Sequence, residues 1–297
     1  MAFHRFTNVA EEVERPADHV RADILVGQPD ADFLLSAPAA SVRWVEITSA
    51  GYTRYDRDDL REALRGRGAI LTNTSRVFDE ACAQHLAAMV LALARELPRC
   101  LDNQRGRREW LHDEVRAGRR FLLNGQTAIL YGYGTIARRV VEILTPLGMR
   151  LVGVRRRPQG DEAIPMLTEA EADARLGEMD HILNILPAST STRHYFDASR
   201  LARCKHGARF YNIGRGVTVD QDALMAALAS GRLDAAYLDV TDPEPLPPEH
   251  PLWSAPNCLI TPHIAGTHDN EEERLVDHLL TNLRAFEAGT PLVDRII

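Results

Sequence analysis

The sequence predicts an α/β fold in which parallel sheets are covered by helices on both faces. Short runs of β-branched and apolar residues alternate with segments of helical periodicity along the chain. Such runs, bounded by Gly, Pro or polar residues, are typical of buried parallel strands. The predicted strands span 23–26, 42–47, 69–71, 127–131, 150–154, 181–186, 208–213, 236–240 and 258–260. Sheets of this kind bind ligands beyond the carboxyl ends of their strands, so we expect the chemistry there.

Two domains are expected, because 297 residues are long for a single core. A long helix is predicted over 78–97, and Pro98 is predicted to end it. A polar, arginine-rich stretch over 99–120 follows, so we place a domain boundary near Pro98. A further amphipathic helix is predicted over 273–286, close to the carboxyl terminus.

Composition and charge limit the classes of function. Apolar residues make up 45% and charged residues 26%, as in globular proteins, and the net charge of −7 argues against a nucleic-acid-binding surface. The four cysteines show no zinc or redox spacing and the histidines no paired metal spacing, so we expect free thiols and no bound metal. The sequence contains no signal peptide and no stretch long enough to cross a bilayer. These features predict a cytoplasmic protein without nucleic-acid or membrane partners.

A glycine-rich loop follows the predicted strand at 127–131 and leads at once into a helical pattern. Its sequence is Gly132-Tyr133-Gly134-Thr135-Ile136-Ala137. In this setting Gly132 permits a tight turn and Gly134 lets the backbone approach a pyrophosphate. The N–H groups at Thr135 and Ile136, where the helix begins, would face the phosphates. A dinucleotide-binding site is therefore predicted at this loop.

Arginines follow the next predicted strand, which spans 150–154; they are Arg155, Arg156 and Arg157. In NAD-binding proteins an acidic residue about 20 residues after the glycine-rich loop holds the ribose 2′-hydroxyl, but here that position is arginine. A guanidinium can pair with a 2′-phosphate in bidentate fashion. We therefore expect NADP(H) to be the preferred cofactor, with NAD(H) possible. The alternative is that these arginines only solvate a surface loop.

Three further segments follow predicted strands and carry charged residues. They are Tyr211-Asn212-Ile213-Gly214-Arg215-Gly216, Leu238-Asp239-Val240-Thr241-Asp242-Pro243-Glu244-Pro245-Leu246 and Thr261-Pro262-His263-Ile264-Ala265-Gly266. Because the carboxyl ends of parallel strands share one edge of a sheet, all three should open on the rim that carries the glycine-rich loop. Arg215, Glu244 and His263 are therefore the candidate catalytic residues.

In these motifs the chain resembles the D-2-hydroxyacid dehydrogenase family. The four motifs occur in the family's order and spacing, and the resemblance covers about residue 40 to the carboxyl terminus. It implies an oxidoreductase that transfers a hydride between NAD(P)H and a small 2-oxo acid or D-2-hydroxy acid, of the glyoxylate or hydroxypyruvate type. It also implies a Rossmann doubly wound sheet over 98–274 and a smaller, flavodoxin-like substrate domain formed by 1–97 and 275–297. An arginine-rich arm at 105–110 and 116–120 would pack across a homodimer interface of the cofactor domain.

The resemblance also implies roles for individual residues. Arg215 would anchor the substrate carboxylate, Glu244 would be the partner of the histidine, and His263 would donate and accept the proton. The backbone at Ala50 and Gly51 would receive the substrate carboxylate as well. The cofactor cleft would be lined by Pro187, Thr192 and Ile213, with Asp239 on the nicotinamide amide.

Reduction of a 2-oxo acid requires these residue types. When a hydride reaches the carbonyl carbon, the oxygen becomes an alkoxide and needs a proton, which His263 can supply near neutral pH. A neighbouring carboxylate such as Glu244 would favour the protonated imidazole. A guanidinium at Arg215 would bind the planar carboxylate and remain charged. These groups and the nicotinamide ring are expected to meet around one small carbonyl in the cleft between the domains.

Other functions remain open from the sequence. A phosphite-oxidising relative would share the motifs, whereas formate-oxidising relatives carry an amide at the position of Glu244 and are disfavoured. A dinucleotide-sensing corepressor would keep the fold and bind protein partners, but the complete trio argues against it. The identity of the 2-oxo acid stays open, because pocket specificity depends on a few loop side chains.

The chain departs from the family pattern in its first residues. A strand and a helix normally precede the region that corresponds to 23–26, and here only 4–7 is a candidate remnant. We therefore expect a trimmed substrate domain, and whether this alters the outer wall of the substrate pocket stays open.

Overall fold

A computed structural model describes residues 22–117, 122–158 and 160–297 of the chain. Contacts divide the described residues into two compact units. The smaller unit contains 22–78 and His268–Ile297, and the larger unit lies within Asp79–Thr267. The candidate remnant at 4–7 lies outside the described residues, as does most of the predicted arm segment at 116–120.

The described residues form short strands and helices that alternate along the chain. The strands are β1 (Ile24–Gly27), β2 (Trp44–Ile47), β3 (Ile70–Thr72), β4 (Thr127–Tyr131), β5 (Arg150–Val154), β6 (Met166–Leu167), β7 (His181–Asn184), β8 (Ala208–Asn212), β9 (Leu233–Leu238) and β10 (Cys258–Ile260). The α-helices are α1 (Ala31–Leu35), α2 (Asp58–Gly66), α3 (Ser75–Ala94), α4 (Leu97–Arg105), α5 (His112–Ala117), α6 (Thr135–Leu144), α7 (Glu169–Arg175), α8 (Ala198–Arg203), α9 (Gln221–Ala229) and α10 (Glu271–Ala288).

The smaller unit is built on a parallel sheet in which β1, β2 and β3 pair in that order. The helix α2 turns Leu60 and Leu64 into its core, since residues four apart lie on one helix face. The carboxyl-terminal helix α10 belongs to the same unit. Its Phe286 ring stacks on Trp44 of β2 with the ring centroids 5.5 Å apart, and Ile297 packs into the core beside β3.

The larger unit contains a seven-stranded sheet with the order β10-β9-β8-β7-β4-β5-β6. All neighbouring strands pair in parallel. Starting from β4, the chain adds β5 and β6 on one side and then β7 to β10 on the other. The strand order therefore reverses between β4 and β7, as in a doubly wound Rossmann sheet. The predicted fold class, α/β with parallel sheets, is confirmed.

The structure corrects the predicted end of the helix near Pro98. The helix α3 ends at Ala94, Glu96 adopts a left-handed backbone with φ of 53°, and Pro98 lies in the first turn of α4. Proline is tolerated there because first-turn N–H groups have no partner within the helix. Contacts divide the described residues inside α3, after Phe78, and again after Thr267, and the domain boundaries near Pro98 and residue 275 stay predictions. The two-residue edge strand β6 was not predicted from the sequence.

The prediction that no stretch is long enough to cross a bilayer is wrong for one helix. By length and composition alone, the 20-residue helix α3 is long and apolar enough to span a membrane. The core helix of a globular protein passes the same test. In α3 the side chains at most 2% exposed include Val77, Ala83, Leu86, Val90 and Ala94.

Candidate active site

Arg215, Glu244 and His263 follow three neighbouring strands of the larger unit. Arg215 comes after β8, Glu244 after β9 and His263 after β10. These strands are adjacent and parallel, so their carboxyl ends share one edge of the sheet. The glycine-rich loop after β4 opens at the same edge. The structure therefore brings the predicted segments of this unit to one rim.

The histidine and the glutamate of the trio form a direct pair. Nδ1 of His263 lies 2.9 Å from Oε2 of Glu244. A carboxylate only accepts, so Nδ1 carries the proton in this pair. The other carboxylate oxygen, Oε1, accepts a hydrogen bond from the backbone N–H of Thr241 at 2.9 Å. Nε2 of His263 has no partner among the described residues, and the side chain is 49% exposed, so Nε2 is accessible to a ligand.

The loop that carries His263 is shaped by Asp239. His263 has a left-handed backbone with φ of 55°, which costs about 1–2 kcal/mol for a residue with a side chain. Its N–H donates to the backbone oxygen of Asp239 at 2.8 Å. The buried carboxylate of Asp239 accepts the N–H groups of Ile264 on Oδ1 and of Ala265 on Oδ2, each at 2.9 Å. Because Oδ2 accepts one hydrogen bond within the described part of the chain, it can accept another from a ligand such as an amide.

Two glycines allow the turn that carries Arg215 to pack against neighbouring loops. A Cβ atom on Gly214 would lie 2.5 Å from the oxygen of Leu186, and one on Gly216 would lie 1.9 Å from the oxygen of Thr241. No other residue fits at either position without a shift of the backbone. These glycines therefore serve packing, and they leave Arg215 as the functional side chain of the motif.

The Arg215 guanidinium is a partly buried cation. Burial lowers its pKa, and the charge of Glu244 opposes that shift. An arginine remains protonated even so. Nη1 donates to the oxygen of Gly214 at 2.6 Å, but within 22–117, 122–158 and 160–297 the side chain forms no ion pair. A charged fork of donors without a carboxylate partner is suited to bind an anionic ligand.

The glycine-rich loop fits a dinucleotide phosphate. Gly132 has a φ of 89°, and a Cβ atom there would lie 2.7 Å from the oxygen of Ile185, so this glycine is needed for the turn between β4 and the loop after β7. Gly134 differs, since nothing lies within 4 Å of a Cβ atom built on it. It is the N-cap of α6 and provides no side-chain cap, which leaves the first N–H groups of the helix for an anion.

The two arginines predicted to contact the cofactor differ in their surroundings. Nη1 of Arg155 lies 3.2 Å from Oε1 of Glu162, whose side chain is 4% exposed. Glu162 also accepts the N–H of Gly160 at 2.8 Å, so this ion pair is part of the loop structure. Arg156 is exposed, and its side chain has no partner in the described ranges. Of the two, Arg156 is the one available to a ligand.

The other residues predicted in the cofactor cleft hold the loops at this rim together. The Thr192 hydroxyl donates to the oxygen of Pro187 at 2.7 Å and accepts the N–H of Ser189 at 2.8 Å. Ile213, 7% exposed, continues the pairing of β8 with β7 through its N–H and the oxygen of Asn184 at 3.1 Å. Pro187, Thr192 and Ile213 therefore lie on the carboxyl side of β7 and β8, next to the glycine-rich loop.

In the smaller unit, the backbone at Ala50 and Gly51 was predicted to bind the substrate carboxylate. Its carbonyl groups accept hydrogen bonds, and its N–H groups are free within the described residues. The side chain of Asn73 donates to the oxygen of Ala50 at 2.6 Å, and the hydroxyl of Ser49 donates to the oxygen of Gly51 at 2.7 Å. Gln28 in turn donates to the Ser49 hydroxyl at 3.0 Å. The N–H groups of Ala50 and Gly51 have no acceptor among the residues that the structure describes. They are available to an anion such as a carboxylate.

Several residues that position the trio were not predicted from the sequence. Nδ2 of Asn184 donates to Oδ1 of Asn212 at 3.0 Å and to the hydroxyl of Thr218 at 2.7 Å, and this hydroxyl donates to the oxygen of Arg215 at 2.6 Å. Gln221 forms two hydrogen bonds with the backbone of the loop that carries the glutamate, at 2.6 and 3.0 Å. A polar Asn at the end of the apolar run of β7 was the available signal, because buried amides need partners.

The NAD-binding domain of the D-isomer specific 2-hydroxyacid dehydrogenases matches residues 87–265 of the chain. Among curated relatives, a glyoxylate reductase/hydroxypyruvate reductase from Mus musculus is 31% identical over 259 residues, which are 84% of this chain and 77% of the relative. A glyoxylate reductase from Aeropyrum pernix is 34% identical over 272 residues, which are 90% of this chain and 79% of the relative.

Solved structures show the same similarity in three dimensions. A D-isomer specific 2-hydroxyacid dehydrogenase from Xanthobacter autotrophicus, in complex with NADPH, superposes with a TM-score of 0.78 at 27% identity, covering 95% of this chain and 86% of that one. An NADPH-dependent glyoxylate/hydroxypyruvate reductase from Sinorhizobium meliloti, in complex with NADP, superposes with a TM-score of 0.75 at 25% identity, covering 92% and 84%.

Proposed function

The chain belongs to the D-isomer specific 2-hydroxyacid dehydrogenase family, and we propose that it reduces a small 2-oxo acid of the glyoxylate or hydroxypyruvate type with NADPH. The observation that carries this proposal is the pair of His263 and Glu244, 2.9 Å apart, at the sheet edge that also holds Arg215 and the glycine-rich loop. The named relatives that reduce glyoxylate or hydroxypyruvate support the substrate class.

In the proposed mechanism, His263 is the proton donor. Its Nδ1 proton is held by Glu244, so the protonated imidazole presents its Nε2 proton to the substrate. A bound nicotinamide would supply the hydride to the carbonyl carbon. The carbonyl π pair moves to oxygen, and Nε2 of His263 gives its proton to that oxygen, which leaves a 2-hydroxy acid and a neutral imidazole. Glu244 stabilises the charged imidazole before the transfer.

Binding of the substrate carboxylate is the proposed role of Arg215. Its guanidinium is partly buried without an ion pair in the described chain, and a carboxylate would supply the missing anion. In the smaller unit, the free N–H groups of Ala50 and Gly51 are proposed to bind a substrate carboxylate. The smaller unit is then the substrate domain and the larger unit the dinucleotide-binding domain.

The test is a panel of small 2-oxo acids assayed by the loss of NADPH absorbance. His263→Ala should lower kcat by about 10²–10⁴-fold, the usual contribution of a general acid, while the Kd for NADPH stays within about twofold. His206→Ala, at an exposed histidine of the larger unit, is the matched control and should keep full activity. Wild-type turnover in His263→Ala would refute the mechanism. Dinucleotide binding without turnover of any acid by the wild type would refute the proposed function.

For the cofactor, we propose that Arg156 binds the 2′-phosphate of NADPH. It is exposed and without a partner in the described residues, whereas Arg155 is paired with Glu162. Arg156→Ala should raise the KM for NADPH about tenfold and leave the KM for NADH unchanged, since only NADPH carries the extra phosphate. Arg155→Ala is the control at the adjacent arginine and should change the ratio of the KM values for NADPH and NADH less than Arg156→Ala does. A wild-type ratio of kcat/KM for NADPH over NADH below one would contradict the preference.

A homodimer through the larger unit is proposed from its exposed apolar side chains. Leu97 and Leu101 of α4 are 50% and 48% exposed, and Trp110 is 94% exposed. Such side chains close together are typical of interfaces between subunits. Leu101→Asp combined with Trp110→Asp should give a monomer in light scattering. Val276→Asp, at a 54% exposed position of α10, should keep the dimer. A wild-type chain that is monomeric at micromolar concentration would refute the interface.

We also propose a cytoplasmic location. The four cysteines are free thiols, as is usual in a reducing compartment. Fractionation of the cells that produce the protein tests this, and recovery with the membrane or secreted fraction would contradict it.

A further inference from the structure

A chain of short hydrogen bonds leads from α3 to the loop that carries His263. Nε2 of His85 lies 2.6 Å from the hydroxyl of Tyr237 on β9. The Tyr237 hydroxyl lies 2.6 Å from Oγ1 of Thr261, and that oxygen lies 2.6 Å from Oδ1 of Asp239. All four residues belong to the larger unit. The carboxylate at the end of this chain is the one that accepts the N–H groups of Ile264 and Ala265.

The chemistry of the four groups fixes the direction of the chain. An ionised carboxylate only accepts, so the hydroxyl of Thr261 donates its proton to Asp239. Since Thr261 has no second proton to donate, it must accept from the hydroxyl of Tyr237. Tyr237 has then used its own proton and must accept from Nε2–H of His85. Every proton in the chain therefore points toward Asp239.

The central groups of this hydrogen-bond chain are buried. Tyr237 is 0% exposed and Asp239 is 2% exposed. Burial raises the pKa of the Tyr237 phenol, so its proton is retained for donation over the whole physiological range. Removal of one partner would leave a buried hydroxyl or carboxylate oxygen unsatisfied, which costs more than the hydrogen bond itself contributes.

We propose that His85, Tyr237 and Thr261 are positioning residues that fix Asp239 and, through it, the left-handed backbone of His263. The proposal rests on the proposed role of His263 as proton donor. The carboxylate of Asp239 can hold the N–H groups of Ile264 and Ala265 only in one rotamer, and the hydrogen bond from Thr261 selects that rotamer. If Asp239 rotates, the strained φ of His263 loses its support, and Nε2 moves from the position needed for proton transfer.

Substitutions that remove single hydroxyl groups test the chain with little change of shape. Tyr237→Phe and Thr261→Val should each lower kcat by about 10–100-fold with the Kd for NADPH within about threefold, because a misplaced proton donor slows the chemical step. Thr261→Ser keeps the hydroxyl and should restore most of the activity. His85→Leu, at the far end of the chain, should lower kcat about threefold, since the effect weakens along a network.

The matched control is Tyr211→Phe. Tyr211 is the register partner of Tyr237 on the neighbouring strand β8, and its hydroxyl lies 3.1 Å from Nδ1 of the buried His181. This is also a buried tyrosine–histidine pair, but it does not reach Asp239. Tyr211→Phe should lower the unfolding midpoint about as much as Tyr237→Phe and leave kcat within about twofold. An equal loss of kcat in both variants would mean that the effect is general destabilisation and would overturn the proposal.

A measurement without turnover separates this proposal from the proposed function. Backbone hydrogen exchange of Ile264 and Ala265 should become at least about tenfold faster in Tyr237→Phe and Thr261→Val, and stay unchanged in Tyr211→Phe. Unchanged hydrogen exchange in Tyr237→Phe and Thr261→Val would overturn the proposal, whatever the activity of these variants. If the wild type reduces no 2-oxo acid but exchange quickens as expected, the proposed function fails and the structural role of the chain stands.

Discussion

The stability of the smaller unit should depend on the charge of His278 on α10. Nδ1 of His278 lies 3.3 Å from Oε1 of Glu46, and Nε2 lies 3.2 Å from Oδ2 of Asp294. Burial alone lowers the pKa of His278, but the hydrogen bonds and charges of Asp294 and Glu46 outweigh it and raise the pKa to about 9. Glu46 also accepts hydrogen bonds from Asn282 and from the Thr72 hydroxyl, and Asp294 accepts the backbone N–H of Arg76 and pairs with its guanidinium at 3.5 Å.

The sign and size of the effect follow from that shift. A group whose pKa is higher in the folded than in the unfolded protein stabilises the fold fully below the unfolded value, here about 6.5. The stabilisation is lost as the pH rises through about 9. Raising a pKa by this amount corresponds to at most about 3 kcal/mol, and screening by solvent reduces the expected loss to roughly 2 kcal/mol. Above the folded pKa, a neutral imidazole leaves the buried Glu46 without a cation, whereas Asp294 keeps its ion pair with Arg76.

Urea unfolding of the wild type and of His278→Gln at pH 6, 7.5 and 10 tests this. Trp44 is 0% exposed in the smaller unit, whereas Trp110 and Trp253 are largely exposed, so the change in emission on unfolding reports on the smaller unit. The wild type should be more stable than the variant by roughly 2 kcal/mol at pH 6, and the two should converge at pH 10. Subtraction of the variant removes the contributions of all other titrating groups. A difference that stays constant from pH 6 to pH 10 would refute the reasoning.

Two further predictions concern glycines of the larger unit. Gly134→Ala should change the free energy of unfolding by less than about 0.5 kcal/mol, because nothing lies within 4 Å of the new Cβ, while the Kd for NADPH measured by calorimetry rises about tenfold. Unchanged NADPH affinity would contradict the phosphate-binding role. Gly216→Ala places a Cβ 1.9 Å from the oxygen of Thr241, so thermal unfolding should show a loss of about 1–3 kcal/mol together with a loss of turnover. Wild-type stability of Gly216→Ala would contradict the close packing of Gly216 against Thr241.

The sequence predicted those parts of the fold that depend on local pattern. The bounds of β4, β5 and β10 are as predicted, because each is a short and mainly apolar run. Pro98 was misread, since a proline marks the first turn of a helix as well as the residue after one. The strand β6 has two residues, too few to show a periodicity.

For the candidate site, the common rim of the three candidate residues was predicted from the order of the strands. The contacts between residues far apart in the sequence were not predicted. Arg215, Glu244 and His263 follow predicted strands, so the topology of a parallel sheet brings them to one rim. The contact of His85 with Tyr237 joins residues that are 152 positions apart, so no local sequence pattern predicts it. The ion pair of Arg155 with Glu162 is closer in sequence, but whether an arginine pairs within its loop depends on the path of the backbone.

The hydrogen bonds of Glu244 also explain why Arg215 forms no ion pair with this carboxylate. Oε1 of Glu244 accepts the backbone N–H of Thr241, and Oε2 pairs with His263, so both oxygens are directed to fixed partners. The charge of Glu244 favours protonated Arg215, but no ion pair forms between them. A single carboxylate therefore serves the imidazole, while the partly buried guanidinium keeps its donors. Because a partly buried cation without an ion-pair partner is unfavourable, we expect the substrate carboxylate of the proposed mechanism to bind at Arg215.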